Sequence, residues 1–223
     1  MTPTCLEERL STETGRARRG HALHGAARGL EQLIAAVALL ALAPAMLAIA
    51  LVIFVLSRRN PLIRHARVGW EGRPLALLKF RTMWAPEDAP PGRFAIELVS
   101  GYVPADKRGA DPRVRSRFAA FCRRHSLDEL PQLYHVVRGE MSLVGPRPIT
   151  LTELRDHYGP AAGEVLSVRP GLTGLWQVRG RSRLSYERRR RLDLLLVRRA
   201  SAGLYFRILV QSIPGLFNGR DAC

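Results

Sequence analysis

The chain has 223 residues, with 35 Lys and Arg against 19 Asp and Glu and a formal charge of +16, nearly all of the basic charge being arginine. That length suits one well-buried domain with appendages and is short for two, while arginine-borne charge points to anionic partners: nucleic acid, nucleotides or an acidic membrane surface. Cys5, Cys122 and Cys223 are scattered, with no C-x-x-C pair and no zinc-like His spacing, which argues for a reducing compartment and against a structural metal.

Residues 1–28 are polar, Arg-rich and without periodicity, as expected of a basic tail or a helix lying on lipid headgroups. From Leu33 to Leu56 the chain carries no charge. An apolar run of ~20 residues is long enough to cross the hydrocarbon core as a helix. Pro44 divides it into halves of ~17 Å each, about half the core thickness, so that each half can reach the middle and return. Arg16, Arg18, Arg19 and Arg28 precede the run and Arg58, Arg59, Arg64 and Arg67 follow it. Because basic flanks stay on the cytoplasmic side, this charge favours a re-entrant hairpin over a tilted single span with a tolerated proline.

Residues 60–83 read as a short β-hairpin with Gly69 and Gly72 at its turn, "PLALLKFRTM" being a second strand or the start of a helix. Residues 84–112 are irregular and read as a surface loop. Val114 to Val137 is mainly helical in character, "ITLTELRDHYG" is a Thr-capped helix, and "SVRPGLTGLWQVRGR" is a Gly-rich loop with one apolar patch. Near the end, "LSYERRRRLDLLLV" and "AGLYFRILVQSIPGLF" suit interfacial amphipathic helices, with core helices that have a basic outer face as the alternative.

Phosphate-loop, dinucleotide, zincin and nucleophile-elbow motifs are absent, and so are RNA-binding and zinc-finger signatures, which disfavours nucleic acid as the partner. What remains is "SLDELPQL". Ser126 and Glu129 have capping-box spacing, or else Asp128 caps a helix with Pro131 in its first turn. Either arrangement puts Asp128 and Glu129 at a positive helix end, so both are expected to be ionised and neither to behave as an acid of raised pKa. Ionised carboxylates beside arginine suit a metal ligand or a nucleophile toward phosphorus. Arg123 and Arg124 lie upstream, Arg147 stands between two prolines in "GPRP", and Lys79 and Arg81 add positive charge in "KFRT". Together these acids and bases describe a site for a phosphate anhydride at a bilayer surface.

The strings "KFRTM" (79–83), "SLDELPQL" (126–133), "GEMSLVGPRP" (139–148) and "RPGLTGLWQVRGRS" (169–182) resemble, in order and spacing, the bacterial sugar transferase family of small monotopic polyprenyl-phosphate phosphoglycosyl transferases. The resemblance implies an α+β, mainly helical fold: a basic tail (1–28), a re-entrant membrane helix broken at Pro44 (29–57), a cytoplasmic catalytic domain (58–217) and a short tail (218–223). It implies transfer of a sugar-1-phosphate from a UDP-sugar to a polyprenyl phosphate in the bacterial inner membrane, as a first step of exopolysaccharide or other surface glycan assembly. By motif position, Asp128 is the nucleophile of a covalent phospho-sugar intermediate and Glu129 assists with Mg2+ or with the lipid phosphate. The two acids are the implied Mg2+ ligands. Arg147 and Arg123 hold donor phosphates, with Lys79 and Arg81 as further candidates. Acidic lipids are expected partners and homo-oligomerisation is left open.

Three positions depart from the family pattern: His135 for an asparagine, Ala119 for a glycine and Tyr205 for an aspartate. The 84–112 loop departs most, and substrate choice is expected there. The competing readings are a non-catalytic, membrane-anchored basic module and a direct transferase in which Asp128 only holds magnesium.

Overall fold

A computed structural model of the protein describes residues 3–83, 96–99, 114, 116–180 and 183–218, with side chains considered from residue 28 to residue 214. Most of the 84–112 segment, the side chains of the N-terminal tail and residues 219–223 lie outside that description, so the expectations placed on them stay as they are.

Helix α1 (Pro3–Ser57) runs through the apolar stretch, where alanine and leucine favour the helical backbone. It does not break at Pro44. Proline withholds one hydrogen-bond donor and crowds the preceding turn, but the helix continues through it, so one uninterrupted element replaces the expected two halves. Among the described residues, Arg28–Ser57 is the one helix long and apolar enough to cross a membrane.

Strands β1 (Leu62–Val68) and β2 (Pro74–Phe80) form the expected antiparallel hairpin, and β3 (Leu98–Val99) adds in parallel to β1, giving the order β2-β1-β3. The turn falls on Gly69–Gly72, where Glu71 and Gly72 adopt positive φ. Helix α2 (Arg117–Arg124), capped by Ser116, leads into a 3-10 helix at Leu127–Gln132 and then α3 (Leu133–Val137). Strand β4 (Ser142–Val144) pairs in parallel with β5 (Gly171–Thr173), and α4 (Leu151–Glu153) and α5 (Ala162–Leu166) lie between them. Thr150 caps α4 in a full capping box with Glu153. Helices α6 (Leu175–Arg179), α7 (Tyr186–Arg198) and α8 (Ala202–Asn218) complete the chain. The Gly-rich 167–181 stretch, expected as a loop, contains a strand and a helix among its described residues, because its glycines allow close backbone pairing with β4.

Helix α1 is part of the core on both sides of its proline. Ala35 packs with Leu75 and Leu77 of β2, Leu133 and Val136 of α3, and Leu143 of β4. Ile49 and Ile53 pack with Phe80 and Cys122. Each fully buried aliphatic side chain contributes about 1.5–3 kcal/mol, so α1 is fastened to the same domain at two places. Its other face exposes Leu30, Leu33, Leu40, Leu47 and Leu51, and α8 exposes Phe206, Val210 and Ile213. In α7, by contrast, Leu196 is buried and Leu192 and Leu194 pack inward, leaving Leu195 exposed, so α7 fits the core-helix alternative. Tyr205, one of the departures, donates to the Glu31 carboxylate, which also accepts from Ser142 Oγ at 2.7 Å, joining α8, α1 and β4. Ala119 is fully buried in α2.

Arg81 belongs to this scaffold. Its Nε donates to the Asn60 carbonyl at 2.8 Å and its Nη1 to Glu97 Oε2 at 2.9 Å, tying the end of β2 to the segment after α1 and to the approach of β3. Arg81→Ala is expected to destabilise the protein by about 3 kcal/mol, as for other buried pairs broken on one side. That corresponds to a fall in Tm of about 6–12 °C in a thermal melt of the detergent-solubilised protein.

Candidate active site

The two acids sit in a tight 3-10 turn and not at the start of an α-helix. Ser126 has φ 55 and ψ 23, and its hydroxyl caps nothing, so neither proposed capping arrangement forms. The turn is closed instead by the Glu129 N–H donating to the Ser126 carbonyl at 3.1 Å. Freed from capping, the Glu129 carboxylate turns to cations. Its Oε1 accepts from Lys79 Nζ at 2.7 Å and from Arg147 Nη2 at 3.3 Å, while Lys79 Nζ also stands 4.0 Å from Asp128 Oδ2.

Lys79 is held in place by its strand. β2 is the outer strand of its sheet, and the Leu78 N–H donates to His135 Nε2 at 3.0 Å. A backbone N–H can only donate, so Nε2 carries the lone pair and Nδ1–H points to Glu140, 2.6 Å away. His135 is therefore a strap between α3 and the residue beside Lys79.

Arg147 is placed by backbone crossing. The Gly145 N–H donates to the Thr173 carbonyl at 2.9 Å and the Gly171 N–H to the Pro146 carbonyl at 2.8 Å. A Cβ on Gly171 would lie 2.0 Å from the Gly145 nitrogen, so only glycine allows the two segments this close. Pro146 and Pro148 stiffen the projecting residue. The Arg147 guanidinium then lies over the Trp176 ring, 5.9 Å from its centroid, as well as on Glu129.

Electrostatics separate the two acids. Burial pushes the Glu129 carboxyl up, but Lys79 and Arg147 outweigh it and bring it down to about 2. Asp128, which is buried and lacks so close a cation, is pushed up by burial, with the neighbouring Glu129 charge adding to the rise. The expectation that a helix end keeps both acids low is thus corrected for Asp128, because the short turn supplies too little to offset desolvation. Arg147 is raised, first by Glu129. Burial also raises the Asp193 carboxyl of α7, a recipient of the Tyr158 hydroxyl at 2.8 Å, to about 7.

Of the residues expected from sequence, Asp128, Glu129, Lys79 and Arg147 come together. Arg123 lies close enough to Asp128 for its charge to favour the carboxylate, and it forms no ion pair among the described residues. Arg81 is committed to the scaffold. Sequence reasoning missed Arg67 and His65. Both lie on the face of β1 that is shared with Lys79 across the hairpin, and Arg67 Nη1 stands 3.7 Å from Glu153 Oε2. Their alternation, His-x-Arg in a strand opposite the lysine strand, was the available signal.

No group of three or more potential metal-ligating side chains exists among the described residues. A hard cation such as Mg2+ takes one or two carboxylates plus substrate phosphates and does not need such a group. Asp128 and Glu129 Oε2 are the groups that fit it, since Glu129 Oε1 is already occupied by two cations.

Comparison with known proteins covers the same part of the chain. The sequence model of the family described as "Bacterial sugar transferase" matches residues 23–219. The exopolysaccharide production protein ExoY of Sinorhizobium fredii is 38% identical over 198 residues, covering 87% of each chain. The UDP-galactose-lipid carrier transferase of Erwinia amylovora is 40% identical over 78% of this chain, which spans only 37% of that relative's length. The UDP-glucose:undecaprenyl-phosphate glucose-1-phosphate transferase of Caulobacter vibrioides is 42% identical over 69% of this chain and 53% of its own.

The Glu129 clamp has a pH signature. A folded value of about 2 against an ordinary 4.5 means that its stabilisation is present above about pH 4.5 and is lost as pH falls through 2. Lys79→Met removes the leading cation and raises the Glu129 value, so the acid-unfolding midpoint should move to higher pH. Circular dichroism along an acid titration measures this, and an unchanged midpoint would assign the clamp no energetic weight.

Proposed function

The chain belongs to the bacterial sugar transferase family, and on that premise we propose that it transfers a sugar-1-phosphate from a UDP-sugar to a membrane polyprenyl phosphate such as undecaprenyl phosphate, releasing UMP. The observation that carries this reading is the division between the acids. Glu129 is neutralised by Lys79 and Arg147, whereas Asp128 beside it is desolvated and more basic. A desolvated carboxylate is the better nucleophile, and a carboxylate clamped by two cations is the better anchor.

In the proposed first step an Asp128 carboxylate oxygen attacks the β-phosphorus of the donor. The bond from that phosphorus to the bridging oxygen breaks, and the electron pair leaves with UMP. An acylphosphate joins Asp128 to the sugar phosphate. In the second step a phosphate oxygen of the polyprenyl acceptor attacks the same phosphorus and expels the Asp128 carboxylate, leaving polyprenyl-diphosphate-sugar. Lys79, Arg147 and Arg123 supply positive charge to the diphosphate and to the oxygens on which charge builds. Mg2+, held by Asp128 and Glu129 with the donor phosphates, would offset the charge developing on the leaving UMP. Exopolysaccharide assembly is the process in which the Sinorhizobium relative is named, and the product fits the start of such a pathway.

Packing supports the proposed membrane arrangement. Gln32 Nε2 donates to the Val137 carbonyl at 3.1 Å, and Ile53, beyond Pro44, is buried with Phe80 and Cys122. A helix that touches one polar domain both at Gln32 and at Ile53 is held alongside that domain over its apolar stretch. This supports a same-sided disposition, with the unbroken α1 lying along the domain, its exposed leucines and the apolar face of α8 in one leaflet and the catalytic domain in the cytoplasm.

Asp128→Asn should lower UMP release by about 10³-fold or more, even without acceptor. Wild-type protein incubated with donor alone should gain the mass of one sugar phosphate, and the variant should not. Substantial turnover by the variant would instead favour direct transfer with Asp128 as a metal ligand. Removing Mg2+ with a chelator should abolish turnover and readdition should restore it. For topology, a cysteine introduced in the N-terminal tail should resist an outside-only thiol reagent in intact cells. Labelling there would overturn the same-sided reading.

A further inference from the structure

His65 stands in the middle of a charged row. On its face of β1 the next residue is Arg67, and in the antiparallel register Ile63 faces Lys79 while His65 faces Leu77. Lys79 and Arg67 are therefore the flanking charged groups on that sheet face, each about 7 Å away. Every cation around it has a carboxylate: Lys79 and Arg147 share Glu129, and Arg67 has Glu153. The imidazole has none. It is half-buried, and no hydrogen bond or ion pair reaches either ring nitrogen among the described residues. Burial, followed by the charges of Lys79, Arg67 and Arg147, lowers it to about 4, so it is neutral at physiological pH.

A neutral imidazole has one N–H and one lone pair, whereas lysine and arginine only donate. Diphosphate oxygens only accept and are matched by the cations. A sugar hydroxyl both donates and accepts, and the imidazole is the group in this cluster that can do the reciprocal and is not already engaged. The sugar hangs from the phosphate that Asp128, Lys79 and Arg147 would hold, within reach of the same sheet face. Resting on the donor reading above, we propose that His65 is a specificity-determining residue that hydrogen-bonds a hydroxyl of the donor sugar.

The test uses full-length wild type, His65→Ala and His65→Gln in nanodiscs, with UMP release measured for UDP-glucose, UDP-galactose, UDP-N-acetylglucosamine and their deoxy analogues. His65→Ala should lower kcat/KM for the preferred donor by about 10-fold, the scale of one neutral hydrogen bond, and narrow the ratio between the C4 epimers. Inhibition by UDP, which lacks the sugar, should stay within about twofold of wild type. His65→Gln, which keeps a donor and an acceptor, should recover part of the loss, and one deoxy donor should be insensitive to the substitution. Unchanged kcat/KM and donor ranking in His65→Ala overturn the proposal. So does a parallel weakening of UDP inhibition, which would make His65 a phosphate contact, or an equal loss for all donors with a lowered Tm, which would make it structural. A wild type that releases no UMP from any UDP-sugar would remove the donor reading itself, whereas an active wild type beside an indifferent His65→Ala overturns this inference alone.

Discussion

The Glu129 carboxylate accepts from Lys79 on the hairpin and from Arg147 on the crossing of the second sheet, and it sits on the turn that carries Asp128. Three pieces of chain that share little hydrogen bonding of their own thus meet on one side chain. Such a pair is worth little on a surface but much where its members are shielded, because breaking one partner strands the others. The surrounding structure is arranged to keep it formed. His135 straps the strand beside Lys79, the Gly145–Gly171 crossing fixes the base of Arg147, and the 3-10 turn sets both acids within 4.0 Å of Lys79 Nζ.

From this clamp the asymmetry of the site follows. Two adjacent carboxylates of nearly equal intrinsic acidity diverge because the cations reach one and burial dominates the other. Neither residue type nor spacing encodes that divergence. It arises from where Lys79 and Arg147 stand, and those positions depend on a strand pairing and a glycine contact far apart in sequence.

This also explains what was legible beforehand. The hairpin around Gly69 and Gly72, the Thr150 cap and the apolar helix are local patterns and could be read directly. Lys79, Glu129 and Arg147 could be proposed as partners because their strings resemble a family. Ser126 misled, since capping-box spacing is satisfied by sequence while the backbone at Ser126 is left-handed. The scaffold bonds of Arg81 were not legible, because a buried guanidinium bound to a carbonyl and a glutamate looks, in sequence, like any other basic residue. His65 and Arg67 were overlooked because their relation to Lys79 exists only through the strand register. The continuity of α1 past Pro44 reflects tertiary packing, which outweighs a single missing donor.

The burial of Ala35, Ile49 and Ile53 against the catalytic domain gives the apolar helix a second identity. It is an internal wall of the enzyme as much as an anchor. Trimming residues 28–57 to obtain a water-soluble fragment would uncover Leu75, Leu77, Phe80 and Leu133 and leave β2 without its support. Since β2 carries Lys79, only the packed side chains of Leu75, Leu77 and Phe80 stand between α1 and the strand of the candidate site. Whatever alters the seating of this helix therefore acts mechanically on the strand that carries Lys79, and under the proposed function that makes lipid composition a variable of the chemistry and not only of location.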